Sequence, residues 1–288
     1  MPPYIKDDSF YYKYLPQFSS DEIIRKFIDS RNQILNKDLR NWDYQKNSEW
    51  VLRIYLASKL ILSATVLLES ALYTQKKNVL ITIPYLLYYG LLSCCRSLLY
   101  TSPNDDFSKI YPEKIVTHEK AINVTIDILN LFNKEGTNIF YELLNSAKRQ
   151  REMFSYNFPS TGLSILKETR ITIEETVELC NLLCEIAQLQ SAIIQRFVEK
   201  RSLQTDLITT PVYLACKYGN EKIMYVDAED ECRVFDMLRK WKQPYSIILT
   251  MGEGWVEDYF GAWSIDRTQA ESDIFNPDEN WQLIFPVP

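Results

Sequence analysis

The chain has 288 residues, 46% of them hydrophobic, and a net charge of −6; it is long enough for one large domain or two modest ones. Seven glycines, where average usage predicts about twenty, count against Gly-rich phosphate loops and against β architectures built on tight turns. Residues 205–288 carry 7 Lys+Arg against 15 Asp+Glu, a net of −8, so residues 1–204 carry 25 against 23, a net of +2. Non-specific nucleic-acid binding uses a broad basic excess, which is lacking here, so any RNA contact is local. The shift also marks a compositional boundary near residue 204.

The opening "MPPYIKDDSF" lacks the basic start and apolar core of a signal peptide. "SFYYKYLPQF" has no clear period and reads as an arm packed on the main body. "SSDEIIRKFIDSRNQILNKDLRNW" reads as a helix, with Ser20 or Asp21 as its cap and Ile23, Ile24, Phe27, Ile28 and Ile34 at helical spacing. Residues 1–46 therefore form an N-terminal arm and helix.

Residues 47–204 have the pattern of a helical bundle. One helix is expected over 48–74 with Ser48 as a cap, and a second over 79–101. The uncharged run 78–95, "NVLITIPYLLYYGLLSCC", barely reaches the length that a bilayer core of about 30 Å demands. It contains Pro84, Gly90 and three tyrosines and is followed by Arg96, so it reads as a buried core helix with no membrane role. A loop around Pro103, Asn104, Asp105, Asp106 and Pro112 precedes helices over 117–133 and 138–156, split near Gly136. After a break at Pro159–Gly162, Thr172, Glu174 and Glu175 suit a helix N-terminus. Val177, Cys180, Leu183, Cys184, Ile186, Ala187, Leu189 and Ile193 then supply an apolar stripe.

Residues 205–288 read as a small acidic α+β domain. "KIMYVD" and "YSIILTM" are expected as strands and "AEDECRVFDMLRKWK" as a helix with Val234, Phe235, Leu238 and Trp241 inward. "GEG" is a turn, "WVEDYFGAWSI" is extended, and "WQLIFPV" closes the sheet. The fold class is thus mainly α, an up-and-down bundle with a small C-terminal α+β domain.

Cys94, Cys95, Cys180, Cys184, Cys216 and Cys232 include no C-x2-C pair and read as free thiols of a cytoplasmic protein rather than a zinc site. "DAEDE", Asp227 to Glu231, reads as a solvated acidic turn rather than a cation loop. No cofactor is expected, and with His118 as the single histidine a Ser-His-Asp triad has no candidates. Glu257 and Asp258, flanked by Trp255 and Tyr259, suggest an acidic, aromatic partner-binding patch; buried sheet aromatics are the competing reading.

Four stretches carry a resemblance. "PYLLYYGLLSCCRSLLY" resembles the second helix of HEPN-domain proteins, where a Tyr-Tyr-small pattern leads into an apolar helix ending in a Leu-Leu pair. "VTHEKAINVTIDILNLF" resembles the following segment of the nucleotidyltransferase-associated HEPN branch. "LLNSAKRQREMFSYN" resembles its arginine-rich helix end running into a tyrosine, and "TIEETVELCNLLCEIAQLQSAII" its closing helix. The resemblance covers about residues 48–197. It implies a four- or five-helix bundle, often dimeric, from toxin–antitoxin, antiphage-defence or RNA-processing systems. Active members resemble one another in being metal-independent ribonucleases, with an arginine and a histidine separated by four to six residues and two such motifs meeting across a dimer interface. A histidine base activates the 2′-hydroxyl, and arginine grips the phosphate.

Here that histidine is missing. With four to six residues between, the position that follows both Arg149 and Arg151 holds Tyr156, and a phenol with a pKa of about 10 is a poor base at neutral pH. The resemblance therefore implies a non-catalytic interaction module, a homodimer or one with a protein partner. The alternative is a ribonuclease using Arg149, Arg151 and Tyr156, with His118 if the fold brings it near. Lys148, Arg149 and Arg151 are then the RNA- or phosphate-binding residues. Otherwise His118 is a helix-start residue that caps or hydrogen-bonds.

Overall fold

The computed structural model describes residues 10–38, 42–104, 117–166, 171–201, 217–220, 223–240, 243–264 and 274–287, and the chain is mainly helical. The helical periods of the first two hundred residues become α1 (Leu15–Phe18), α2 (Asp21–Asp38), α3 (Tyr44–Lys76), α4 (Ile83–Tyr100), α5 (His118–Asn130), α6 (Lys134–Glu152) and α7 (Ile173–Lys200). α3 and α4 make the most extensive helix contact, and α5, α6 and α7 pack on α4. The close approach of α3 to α4 relies on Gly90, where a Cβ would stand 3.3 Å from the Leu68 side chain.

Capping explains where several helices start. Asp43, not Ser48, caps α3: its carboxylate accepts from the Lys46 N–H at 2.8 Å. Ser48 lies inside the helix and donates to the Tyr44 carbonyl. The break between α5 and α6 falls at 131–133 rather than at Gly136, because Asn133 caps α6 by accepting from the Gly136 N–H at 3.0 Å. Gly136 is required for a different reason, since a Cβ there would lie 2.4 Å from the Phe18 ring. Thr172 and Glu175 form a reciprocal capping box at the start of α7.

The N-terminal arm does pack on the body, burying Phe10, Tyr12 and Leu15. One carboxylate from α7 anchors it: Glu185 accepts from the backbone N–H groups of Lys13, Tyr14 and Leu15 at 2.7, 2.9 and 2.6 Å. α3 and α7 are long and apolar enough to cross a membrane, yet 78% of the apolar window of each is buried within the fold. The run 78–95 forms the short 3-10 turn Leu80–Thr82 and the largely buried first two-thirds of α4.

The C-terminal region differs most from expectation. One hairpin, β1 (Lys217–Asn220) against β2 (Ile223–Val226), is the only strand pairing among the described residues. The helix over "AEDECRVFDMLRKWK" is present as α8 (Ala228–Lys240), with Val234 and Leu238 buried but Phe235 41% exposed; Trp241 lies outside the described residues. The expected strand at "YSIILTM" is instead α9 (Ile247–Thr250), and the expected extended stretch at "WVEDYFGAWSI" contains α10 (Glu253–Gly261). "WQLIFPV" closes no sheet but runs as turns and bends that bury Ile284, Phe285 and Val287.

Tertiary packing overrides the β-propensity of this segment. Its buried residues, Ile247, Ile248, Met251, Trp255, Val256 and Phe260, recur at helical intervals and join the hydrophobic core of the bundle. α7 also supplies acceptors for the start of α9. The N–H groups of Ser246, Ile247 and Ile248 donate to Gln195, Ser191 and Gln188 at 2.8, 3.1 and 3.0 Å. Those side chains share one face of α7, so the sequence of α7 dictates a helical turn where the local residues alone favour a strand.

Candidate functional site

The stretches "PYLLYYGLLSCCRSLLY", "VTHEKAINVTIDILNLF" and "LLNSAKRQREMFSYN" meet in one corner. α4 contributes Tyr85 and, one helical turn further on, Tyr88 and Tyr89. α5 begins there with His118, held by Thr117, whose hydroxyl caps the helix by accepting from the Lys120 N–H. α6 ends there with Lys148, Arg149 and Arg151 in its last two turns, and the two arginines complement its dipole.

His118 Nδ1 lies 2.9 Å from the Tyr88 hydroxyl, with the Tyr89 ring edge-on at 6.0 Å. Arg151 packs on the same two tyrosines. Its guanidinium sits 4.7 Å over the Tyr88 ring and donates to the Tyr89 hydroxyl at 3.2 Å and to the Glu152 carboxylate at 3.0 Å. Only 13% of the Arg151 side chain remains exposed. Burial, followed by the positive charges of Arg96, Arg151 and Lys148, lowers the pKa of His118 below its ordinary 6.5, so the imidazole is neutral at pH 7. Burial raises the pKa of Tyr88, outweighing the opposing pull of Arg151, and the phenol stays protonated.

Beyond Arg151 the helix widens into a π-turn, Met153–Asn157, closed by the Phe158 N–H donating to the Met153 carbonyl at 3.0 Å. Phe158 adopts left-handed backbone angles (φ 40°, ψ 67°), an uncommon state for a bulky residue. π-turns inside helices are frequent at functional sites. This one turns Tyr156 and Phe158 outward, at 78% and 67% exposure. The Ser155 hydroxyl donates to the Arg151 carbonyl at 2.8 Å and stands 3.4 Å from the Tyr85 hydroxyl, fixing the turn beside α4.

The structure thus brings His118 and Arg151 onto one tyrosine pair and adds Lys148 to the same electrostatic neighbourhood. It does not assemble the Arg151–Tyr156 pair that the spacing suggested: Tyr156 projects into solvent, and Arg149 is exposed. His118 hydrogen-bonds, as expected of a helix-start residue, but Thr117 is the cap. Tyr88, Tyr89, Arg96 and Glu152 were not picked out as site residues. The signal for the tyrosines was the Tyr-Tyr-Gly step in α4; nothing local marked Arg96 or Glu152.

The acidic, aromatic patch separates into two parts. Trp255 is buried and stacks on Tyr55 with ring centroids 5.3 Å apart. Tyr259 is mostly buried, its pKa pushed up to about 12 by that burial despite a hydrogen bond with Ser63. Glu257 and Asp258 are exposed, and Asp258 accepts from Arg233 of α8 at 2.9 Å. The "DAEDE" segment is only partly solvated. Asp227 caps α8 by accepting from the Glu229 and Asp230 N–H groups, whereas Asp230 is buried and accepts from Tyr55 and Lys59 of α3.

No group of three or more His, Cys, Asp or Glu side chains among the described residues can hold a metal ion. Cys94, Cys95, Cys180 and Cys184 are buried free thiols, with the Cys94 and Cys184 sulfurs 3.9 Å apart. Burial drives the Cys95 thiol up to about 12 and holds Cys180 and Cys184 well above the usual range, which keeps them protonated and unreactive. Cys232 is exposed and Cys216 lies outside the described residues. Comparison with protein-family models, curated proteins and solved structures gives no match to this chain.

Proposed function

We propose that the chain is a HEPN-like, non-catalytic interaction module. In this reading the bundle with its C-terminal α+β appendage is cytoplasmic, works as a dimer or with a protein partner in a bacterial antiphage-defence or toxin–antitoxin-like system, and uses the corner around Arg151 as a contact surface. The engagement of Arg151 carries the reading. A guanidinium that grips a scissile phosphate needs its N–H fork free, and both terminal nitrogens of this one are engaged, by Tyr89 and by a carboxylate, Glu152, with only 13% of the side chain exposed. Tyr156, the residue in the place of the base, faces solvent with no hydrogen bond among the described residues. The setting and the dimer rest on the sequence resemblance alone, an analogy from fold to function.

One observation favours a second reading, a metal-independent ribonuclease. The single histidine, kept neutral, shares Tyr88 and Tyr89 as neighbours with Arg151, and a neutral imidazole is the form a general base requires. One assay separates the two: labelled RNA incubated in EDTA with wild-type protein, Arg151→Ala and His118→Ala. The interaction module leaves the RNA intact even at high protein concentration. Cleavage lost in both variants would establish the ribonuclease instead.

A further inference from the structure

The corner carries more unpaired positive charge and more exposed aromatic surface than its buried cluster uses. Lys148 and Arg149 are exposed and form no ion pair among the described residues. Beside them lie Tyr156 and Phe158 on the π-turn and Tyr89, 38% exposed, on α4. Aromatic residues ringed by charge mark contact surfaces more reliably than bulk hydrophobicity does. In an isologous pair each patch meets its own copy, which would set these cations against themselves. Glu152, the carboxylate next to Arg151 in the chain, is already occupied by that guanidinium. Like charges juxtaposed in this way oppose docking.

A complementary surface exists on α8 and α10 of the same chain. Glu229, Asp236, Glu257 and Asp258 are exposed there; Asp236 pairs with the exposed Arg239, and Arg233, paired with Asp258, ties the two helices together. Neither Glu229 nor Glu257 is ion-paired among the described residues. Phe235 is 41% and Trp263 59% exposed on these elements, so this face also combines charge with aromatic area, in the opposite sign. From the charge complementarity of these two faces we infer that the occupant of the basic corner is a second copy of this chain, docked head to tail through its α8–α10 face. Such a heterologous contact leaves one corner and one acidic face unused in every pair, so it extends into a ring or a filament. The inference rests on the reading of the corner as a protein-contact surface and names its partner.

The test uses two surface variants that retain the wild-type helical circular dichroism: Lys148→Glu/Arg149→Glu, which reverses the corner, and Glu257→Lys/Asp258→Lys, which reverses the acidic face. Sedimentation of the wild-type chain is expected to show species larger than a dimer as concentration rises, with association at least about tenfold weaker in high salt than in low salt. Each variant alone is expected to be monomeric, because each sets like charges against one another, and an equimolar mixture, in which the intact corner of one variant meets the intact acidic face of the other, is expected to associate again. A monomeric wild-type chain, variants that assemble as the wild type does, or a mixture that stays monomeric would each overturn the head-to-tail contact. None of these outcomes alters the RNA assay, so failure here is distinguishable from failure of the non-catalytic reading.

Discussion

Two clusters in this molecule use nearly the same residue types to opposite ends. Where α8 crosses α3, Tyr55, Lys59 and Asp230 form a closed clasp: Asp230 is buried and accepts from both partners, and Trp255 stacks on Tyr55. At the corner of α4, α5 and α6, Tyr88, Tyr89, Arg151 and His118 make a half-open cluster that continues outward through Arg149, Tyr156 and Phe158. Composition does not separate them. What separates them is whether hydrogen-bonding capacity and aromatic area are used up inside the fold or remain at its surface, and that decides which cluster is a fastening and which a contact surface.

The clasp is therefore where a single substitution should hurt most. Asp230→Ala leaves a buried phenol and an ammonium without their acceptor, and removing one partner of a buried charged cluster is costly. A loss of about 3 kcal/mol is expected in denaturant unfolding. The triple change Tyr55→Phe/Lys59→Met/Asp230→Leu should recover most of it, because it replaces the charges and the buried hydroxyl together with apolar groups. A loss under about 0.5 kcal/mol for Asp230→Ala would erase the distinction between the clusters. By the same reasoning Arg149→Ala and Tyr156→Ala should change stability by no more than about 0.5 kcal/mol each, the usual range for exposed side chains. A larger loss in the same unfolding assay would place those residues in the fold rather than on a contact surface.

The contrast also tracks what the sequence could reveal. Helices α2 to α7 were legible because their apolar residues recur with the helical period, and Thr172 with Glu175 marks the start of α7 unambiguously. The clasp was not legible: Asp230 lies in a run of acids that looks solvated, and only the crossing of α8 over α3 buries it. The C-terminal helices were misread for a related reason. "YSIIL" has strand-forming residues, but Gln188, Ser191 and Gln195, some fifty positions earlier, supply the acceptors that fix a helical turn there. At the corner, Arg151 was visible as a candidate from its place at a helix end. Its neighbours were not, since His118 and Tyr88 reach it through the topology of the bundle and not through spacing along the chain. Tyr156 shows the converse, a residue correctly spaced and yet turned away by the π-turn.

The corner itself stands or falls on whether His118 feels Arg151. As the single histidine, His118 gives one imidazole signal to follow by nuclear magnetic resonance across pH. Burial and the cations Arg96, Arg151 and Lys148 depress its pKa in the folded state, so the fold binds that proton less tightly than the unfolded chain. The contribution to stability is present above the unfolded value of about 6.5 and is lost as pH falls through the window between that value and the lower folded one. The titration should centre below 6.5 in the wild-type protein and move upward in Arg151→Ala. A midpoint at or above 6.5, unmoved by the loss of Arg151, would contradict the convergence of α4, α5 and α6 on which the functional reading is built.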